Sequence, residues 1–176
     1  MKRYPKKQNP VYLADLKTGD ESEEWFEEWL QEGFIDRDWE ISKGRNWRQI
    51  DYKSVAEEGK PTIFIELKSR NIEVSDHYST MLGANKLTSA RKKMKKGGKV
   101  YFFFLFRGLS GNKRELYFYN ANRCLNKLEQ GCEIRIGGTT KRGLPEYKDH
   151  LYIPIKFLTN IKDFKNMNNY FKSLKN

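Results

Sequence analysis

The sequence predicts a single mixed α/β domain, and three observations carry that reading. The acidic segment from Asp20 to Glu32 has its apolar residues at helical spacing. Two β-rich runs, one carrying Asp51 and one reading Thr62-Ile63-Phe64-Ile65, flank a charged turn with Gly59 and Pro61. Lys99–Phe106, KVYFFFLF, is a continuous apolar run that follows a basic segment. Helix, strands, helix and strand in this order make a layered α/β architecture.

Residues 1–17 read as a basic arm, with Pro5 and Pro10 opposing helix. The domain is expected over 18–176, with its core over about 18–119. Thr18 or Asp20 can cap a first helix, and Trp25, Phe26, Trp29 and Leu30 form its apolar stripe. Gly33 ends it. Strands are expected over 38–45, 46–55 and 62–69. Ser75-Asp76 then caps a basic helix running from Tyr78 to Lys96. Lys99–Phe106 has the composition of a strand buried on both faces. Glu115–Tyr119 is a further strand, 122–129 a short helix, and 132–136 and 150–155 two more strands. Between those last two, the turn-rich stretch GGTTKRGLPEYKD reads as an exposed loop, and 160–174 as a C-terminal helix.

Composition narrows the function. Of 176 residues, 38% are hydrophobic and 14% aromatic, which excludes a disordered chain. No run reaches the roughly 18 apolar residues of a membrane span. The basic start MKRYPKKQNP lacks the apolar segment of a signal peptide, so an intracellular setting (cytoplasm, or nucleus or nucleoid) is expected. Cys124 and Cys132 have no CxxC or His partners, which argues against structural zinc and for reduced thiols. The net charge of +11 is unevenly placed: residues 1–40 hold 11 acidic and 6 basic side chains. From His77 to Arg114 there are ten Lys or Arg and no acid. A one-sided basic field of this length attracts polyanions, nucleic acid first and an anionic membrane surface second, and nucleic acid without a membrane partner is the expectation.

The chemistry gathers between Gln49 and Asn71. On a strand, Glu66 and Lys68 share a face while Leu67 points back into the protein. Paired as a hairpin, the two runs bring Asp51 beside Glu66. Two carboxylates then meet an ammonium at one end of a sheet, an oxygen-rich set suited to a hard divalent cation. A solvated ion pair explains the tripeptide by itself, and its surroundings decide between the two. Glu23 lies three before Phe26, at the edge of the helix stripe, so its carboxylate can reach a neighbouring site. Glu27 follows one turn later and reads more readily as a solvated helix-face residue.

In this order the residues resemble the PD-(D/E)xK nuclease superfamily, the restriction-endonuclease-like fold. Its core is a helix, a three-stranded meander, a helix and a strand, here with C-terminal strand and helix additions. The resemblance spans about 18–106 and is strongest to Holliday-junction-resolvase-like members. Those share the Gly-x-x-x-Glu opening, Gly19 to Glu23, and a lone Asp shortly before the E-x-K strand. Ile50 departs from the motif, standing where its name has Pro.

The resemblance implies a metal-dependent endonuclease hydrolysing DNA phosphodiester bonds in repair, recombination, or mobile-element or viral replication. Asp51, Glu66 and the Leu67 main-chain carbonyl would ligate Mg²⁺ or Mn²⁺. Lys68 would act on the attacking water or on the developing charge, and Glu23 would be an accessory ligand. A structure-specific or nicking action and a homodimer fit the same resemblance. A non-catalytic nucleic-acid-binding protein and an RNA nuclease on the same fold remain alternatives.

Candidate phosphate contacts are Arg45, Arg48 and Lys53 around the Asp51 strand, and Arg70 on the Lys68 face. Lys86 and the cluster Arg91, Lys92, Lys93, Lys95 and Lys96 follow on the basic helix. Such contacts give affinity and salt dependence without reading sequence. Trp47 and Tyr78 can stack on bases or serve as rim and core, and His77 reads as a phosphate contact or a structural residue.

Overall fold

A computed structural model describes residues 10–33, 39–41, 50–54, 58–59, 61–110, 113–122, 125, 131–141 and 144–163. The chain begins with α1 (Pro10–Gly33) and continues through β1 (Trp39–Ile41), β2 (Tyr52–Ser54) and β3 (Ile63–Arg70). Next come β4 (Ser79–Gly83), α2 (Ala84–Met94), β5 (Lys99–Phe106) and β6 (Glu115–Asn120). It closes with β7 (Glu133–Lys141), β8 (Leu144–Pro154) and β9 (Thr159–Asn160).

The main sheet has six strands in the order β1-β2-β3-β5-β6-β9. β1, β2 and β3 form an antiparallel meander. β5 then lies parallel to β3 over eight residue pairs, from Ile63↔Lys99 to Arg70↔Phe106. A parallel pair needs a long crossover, and here β4 and α2 supply it. Helix, meander, helix and parallel strand are the core the sequence predicts.

β5 shows why its run is unbroken. Val100, Phe102, Phe104 and Phe106 join one core cluster with Leu82, Leu87, Ala90, Leu151 and Ile153, on the side of α2 and the second sheet. Tyr101, Phe103 and Leu105 join another with Phe26 and Leu30 of α1. A strand covered on both faces has no position for a polar residue. Phe26 and Leu30 are fully buried as the stripe predicts, each contributing about 1.5–3 kcal/mol by burial. Phe26 packs its ring on Trp29, Tyr52 and Phe103 at centroid distances of 5.3, 5.2 and 5.2 Å. Arg107, just past β5, docks the same helix by donating to the Thr18 carbonyl at 2.9 Å and the Glu21 carboxylate at 2.9 Å.

Four expectations need correction. α1 starts at Pro10, not at Thr18, so residues 10–17 of the expected arm are helical and Gly19 lies inside the helix. Proline is tolerated at a first helical position because the amide it lacks has no intrahelical acceptor there. Tyr78–Lys96 is not one helix. Ser79–Gly83 is a strand, drawn into extended form by antiparallel pairing with β8, from Ser79↔Pro154 to Gly83↔His150. The turn-rich stretch before His150 is not a loop where it is described. It supplies most of the β7–β8 hairpin, and with β4 this makes a three-stranded sheet ordered β4-β8-β7. Residues 161–163 form a 3-10 turn after β9, while 164–176, most of the expected C-terminal helix, lie outside the described residues. So do Arg45, Trp47, Arg48 and most of 122–129.

Candidate active site

The site forms where β2 parts from β3. Their ladder pairs Lys53 with Phe64 and Tyr52 with Ile65. Continued one step, this register sets Asp51 opposite Glu66. The chain bends at Asp51 instead, and its side chain takes over the pairing: Asp51 Oδ2 accepts the Leu67 N–H at 2.9 Å. A strand residue sends its N–H and C=O out of the same edge. The Leu67 carbonyl therefore leaves β3 on the Asp51 side. The Leu67 side chain points the other way, into the α1 core.

Glu66 is completely buried. Lys68 Nζ pairs with Oε1, and Lys86 Nζ, from the first turn of α2, donates to Oε2 at 2.7 Å. Lys68 is the more exposed of the two, at 27% against 11%. Burial of an ionised carboxylate is tolerated only with such partners. Burial disfavours the Lys68 ammonium, but Glu66 and Asp51 outweigh this and hold its pKa above the usual lysine range. Asp51 moves the other way from an ordinary salt-bridged aspartate. Burial, then the neighbouring Glu66 charge, push its carboxyl above the usual range, against the pull of Lys68, Lys86 and the Leu67 amide.

That shift has a consequence for stability. A carboxyl raised on folding destabilises the native state at pH above its folded pKa, and the penalty fades as pH falls through it. Asp51→Asn keeps an oxygen for the Leu67 N–H and removes the charge. Thermal unfolding should show the variant melting higher than the parent at pH 7, with the gain shrinking toward about pH 4. A gain that is absent at pH 7, or largest in acid, contradicts this electrostatic picture.

The sequence-predicted residues are only partly brought together. Lys68 pairs with Glu66, and Asp51 accepts the amide of Leu67 between them. Glu23 is exposed and Glu27 half-buried. Both act on the buried Tyr52 phenol, whose pKa is raised by burial first, then by Glu23, Glu27 and Asp51. The helix carboxylates thus border the site through Tyr52. Arg70 donates to the Met81 carbonyl at 2.6 Å and the Ser69 carbonyl at 3.0 Å, which ties β3 to β4. Lys53 is half-buried on β2. Lys93 lies 4.6 Å from the Phe64 ring centroid, two residues before Glu66. The cluster Arg91–Lys96 therefore sits about 10 Å along the α2 axis from Lys86, away from Glu66. Lys92, Lys95 and Lys96 are exposed there, and Arg91 is half-buried. Lys86 is the residue the sequence undervalued, as a phosphate contact, because a helix drawn from Tyr78 hides that it opens the first turn.

Among the described residues, no group of three or more His, Cys, Asp or Glu forms a metal cluster. The donors present are two carboxylates and a main-chain carbonyl. All are oxygens, and Mg²⁺ needs only one or two carboxylates because it keeps much of its water. The two ammonium groups on Glu66 mark a position built to hold positive charge, and Asp51 lies within the field of the same groups, its carboxyl raised first by burial and then by Glu66. The set fits a hard dication, which would compete with the lysines for Glu66.

No protein-family model and no curated protein matches this chain. Among solved structures it is similar to the 1.6 Å structure of Hjc, a Holliday junction resolvase from the archaeal hyperthermophile Archaeoglobus fulgidus. The identity is 13% and the TM-score 0.45, over 78% of this chain and 88% of that one, and the likeness concerns the backbone alone.

Proposed function

We propose that this protein is a metal-dependent nuclease that cuts DNA phosphodiester bonds at the Asp51–Glu66–Lys68 site. One observation carries the reading. Asp51 gives up a place in the ladder to cap the Leu67 amide, beside a buried Glu66 held by two ammonium groups. The bend satisfies the Leu67 amide with a carboxylate instead of a carbonyl, which sets a negative charge beside Glu66.

Asp51, Glu66 and the Leu67 carbonyl are the residues that would hold Mg²⁺ or Mn²⁺. Such an ion polarises a phosphoryl oxygen and lowers the pKa of bound water. Without a cation, Glu66 and Asp51 hold the Lys68 pKa above the usual lysine range against the effect of burial. Beside the cation, Lys68 would donate hydrogen bonds and positive charge to the phosphate as negative charge builds, or act on the attacking water. Lys86 holds Glu66 in place from α2. Glu23 and Glu27 of α1 set the field around Tyr52. One such site cuts one strand, so symmetric cutting of a branched substrate calls for two copies.

A second reading is favoured by the same ion pairs. A Glu with both oxygens engaged by lysines is also a complete structural network, as in a nucleic-acid-binding protein that never cuts.

A substrate panel separates the two. Supercoiled plasmid, a four-way DNA junction and structured RNA are each incubated with the protein in Mg²⁺, Mn²⁺ or EDTA. The nuclease reading expects strand scission of DNA that EDTA abolishes. Binding without scission of any substrate supports the second reading, and scission of RNA alone replaces DNA as the substrate.

A further inference from the structure

A cavity of about 490 Å³ opens on the second sheet, lined by His77, Tyr78, Glu133, Tyr152, Pro154 and Lys156 among others. Tyr78 stands beside it 97% exposed. An aromatic ring left that far out of the core gives no packing to the fold. Tyr152 lines the same cavity and is the cross-strand partner of both Met81 and Glu133. The Arg135 guanidinium lies 5.4 Å from the Tyr152 ring centroid. The acid in the wall, Glu133, is ion-paired with that same Arg135, so the pair is neutral and Lys156 is the cation among the lining residues.

The cavity is linked to the active site by one residue of β4. Arg70 follows Lys68 by two on the same face of β3, and its guanidinium donates to the Met81 carbonyl. Tyr152 is the next strand over from Met81. With residues two apart on a strand about 7 Å apart, an arginine side chain spanning roughly 7 Å to the Met81 carbonyl, and paired strands about 4.8 Å apart, the path from Lys68 to Tyr152 is on the order of 20 Å. That is a few nucleotides of one strand.

We propose that this cavity is a subsite for an unpaired nucleotide of the substrate. Its base stacks on Tyr78 and Tyr152, and Lys156 holds an adjoining phosphate. A base offers its π-face to a side chain only when it is out of a duplex, and aromatic rings interleaved with cations are how proteins hold single strands. The net charge of +11 complements that ligand. The subsite rests on the nuclease reading for its place along the substrate, but its binding chemistry is independent of cleavage.

The test uses the full chain in EDTA, so that nothing is cut. Fluorescence anisotropy follows a labelled 20-nucleotide oligo(dT) and a blunt 20-base-pair duplex. Tyr78 is exposed, so Tyr78→Ala leaves the core untouched. It is expected to weaken single-strand binding roughly 10-fold, within the range found for one stacked base, and to change duplex binding less than twofold. Tyr78→Trp should restore single-strand affinity. Unchanged single-strand affinity in Tyr78→Ala, equal loss on both ligands, or no binding of oligo(dT) by the parent would each overturn the proposal. Cleavage of the panel substrates is assayed in parallel. A parent that never cuts yet loses oligo(dT) with Tyr78→Ala defeats the nuclease reading and keeps the subsite. A parent that cuts while Tyr78→Ala binds normally does the reverse.

Discussion

Glu66→Gln is expected to end cleavage and to loosen the fold together. The side chain is wholly buried and is the shared counter-ion of two lysines. With a neutral amide there, Lys68 can turn toward water, because it is already partly exposed. Lys86, at 11% exposure on the first turn of α2, has less room to do so. Removing one partner of a buried ion pair costs about 3–5 kcal/mol. Partial escape of Lys68 puts the expected loss near the lower figure, and in a domain of this size about 3 kcal/mol lowers Tm by about 6–12 °C. The double variant Glu66→Gln with Lys86→Met removes the stranded charge as well. It should recover much of the Tm and none of the cleavage, and the cycle of four proteins measures the coupling. Equal Tm for Glu66→Gln and the parent, by thermal unfolding, would show that the three charges are not a buried network.

Lys68→Ala is expected to lower the single-turnover cleavage rate by about 10²–10³, the usual loss when one fixed donor to a developing charge is removed. The effect should fall on the rate of the bound complex, with substrate affinity little changed. The exposed lysines at the far end of α2 behave oppositely. Lys92→Ala with Lys95→Ala and Lys96→Ala should weaken DNA binding and flatten its salt dependence, while the bound complex cuts at the parent rate. Lys68→Ala cutting as fast as the parent in single-turnover assays would remove Lys68 from the mechanism. A pure affinity loss would make it another phosphate contact.

The parts of the site legible in the sequence are those set by local pattern. Alternation on β3 places Glu66 and Lys68 on one face and Leu67 on the other, and the apolar stripe of α1 gives its buried side. The unbroken β5 run announces a strand covered twice. The parts that were not legible depend on distant partners. Ser-Thr-Met-Leu-Gly is a weak strand by composition, and β8, some seventy residues later, makes it one. Without that strand the phase of α2 is lost, and with it the placement of Lys86 on Glu66. The β7–β8 hairpin was hidden for the same reason, since its glycines, threonines and proline read as turn residues until the ladder pairs them. Glu23 illustrates the limit of helical spacing. Spacing sets it at the edge of the stripe, but what it meets depends on how α1 docks on the sheet, held by Arg107 and Ser22 through Thr18, Glu21 and Ser69, and there it is exposed and acts on Tyr52.

The most direct measurement is single-turnover scission of one labelled DNA substrate by the parent and by Asp51→Asn, purified side by side, across a titration of Mg²⁺. Asp51→Asn keeps the Leu67 hydrogen bond and is expected to fold at least as well as the parent at pH 7. The expected result is metal-dependent scission by the parent and a rate at least about 100-fold lower for the variant at every Mg²⁺ concentration. Scission by Asp51→Asn at the parent rate, or a parent inert at all concentrations, would contradict a cation-holding nuclease site at Asp51 and Glu66.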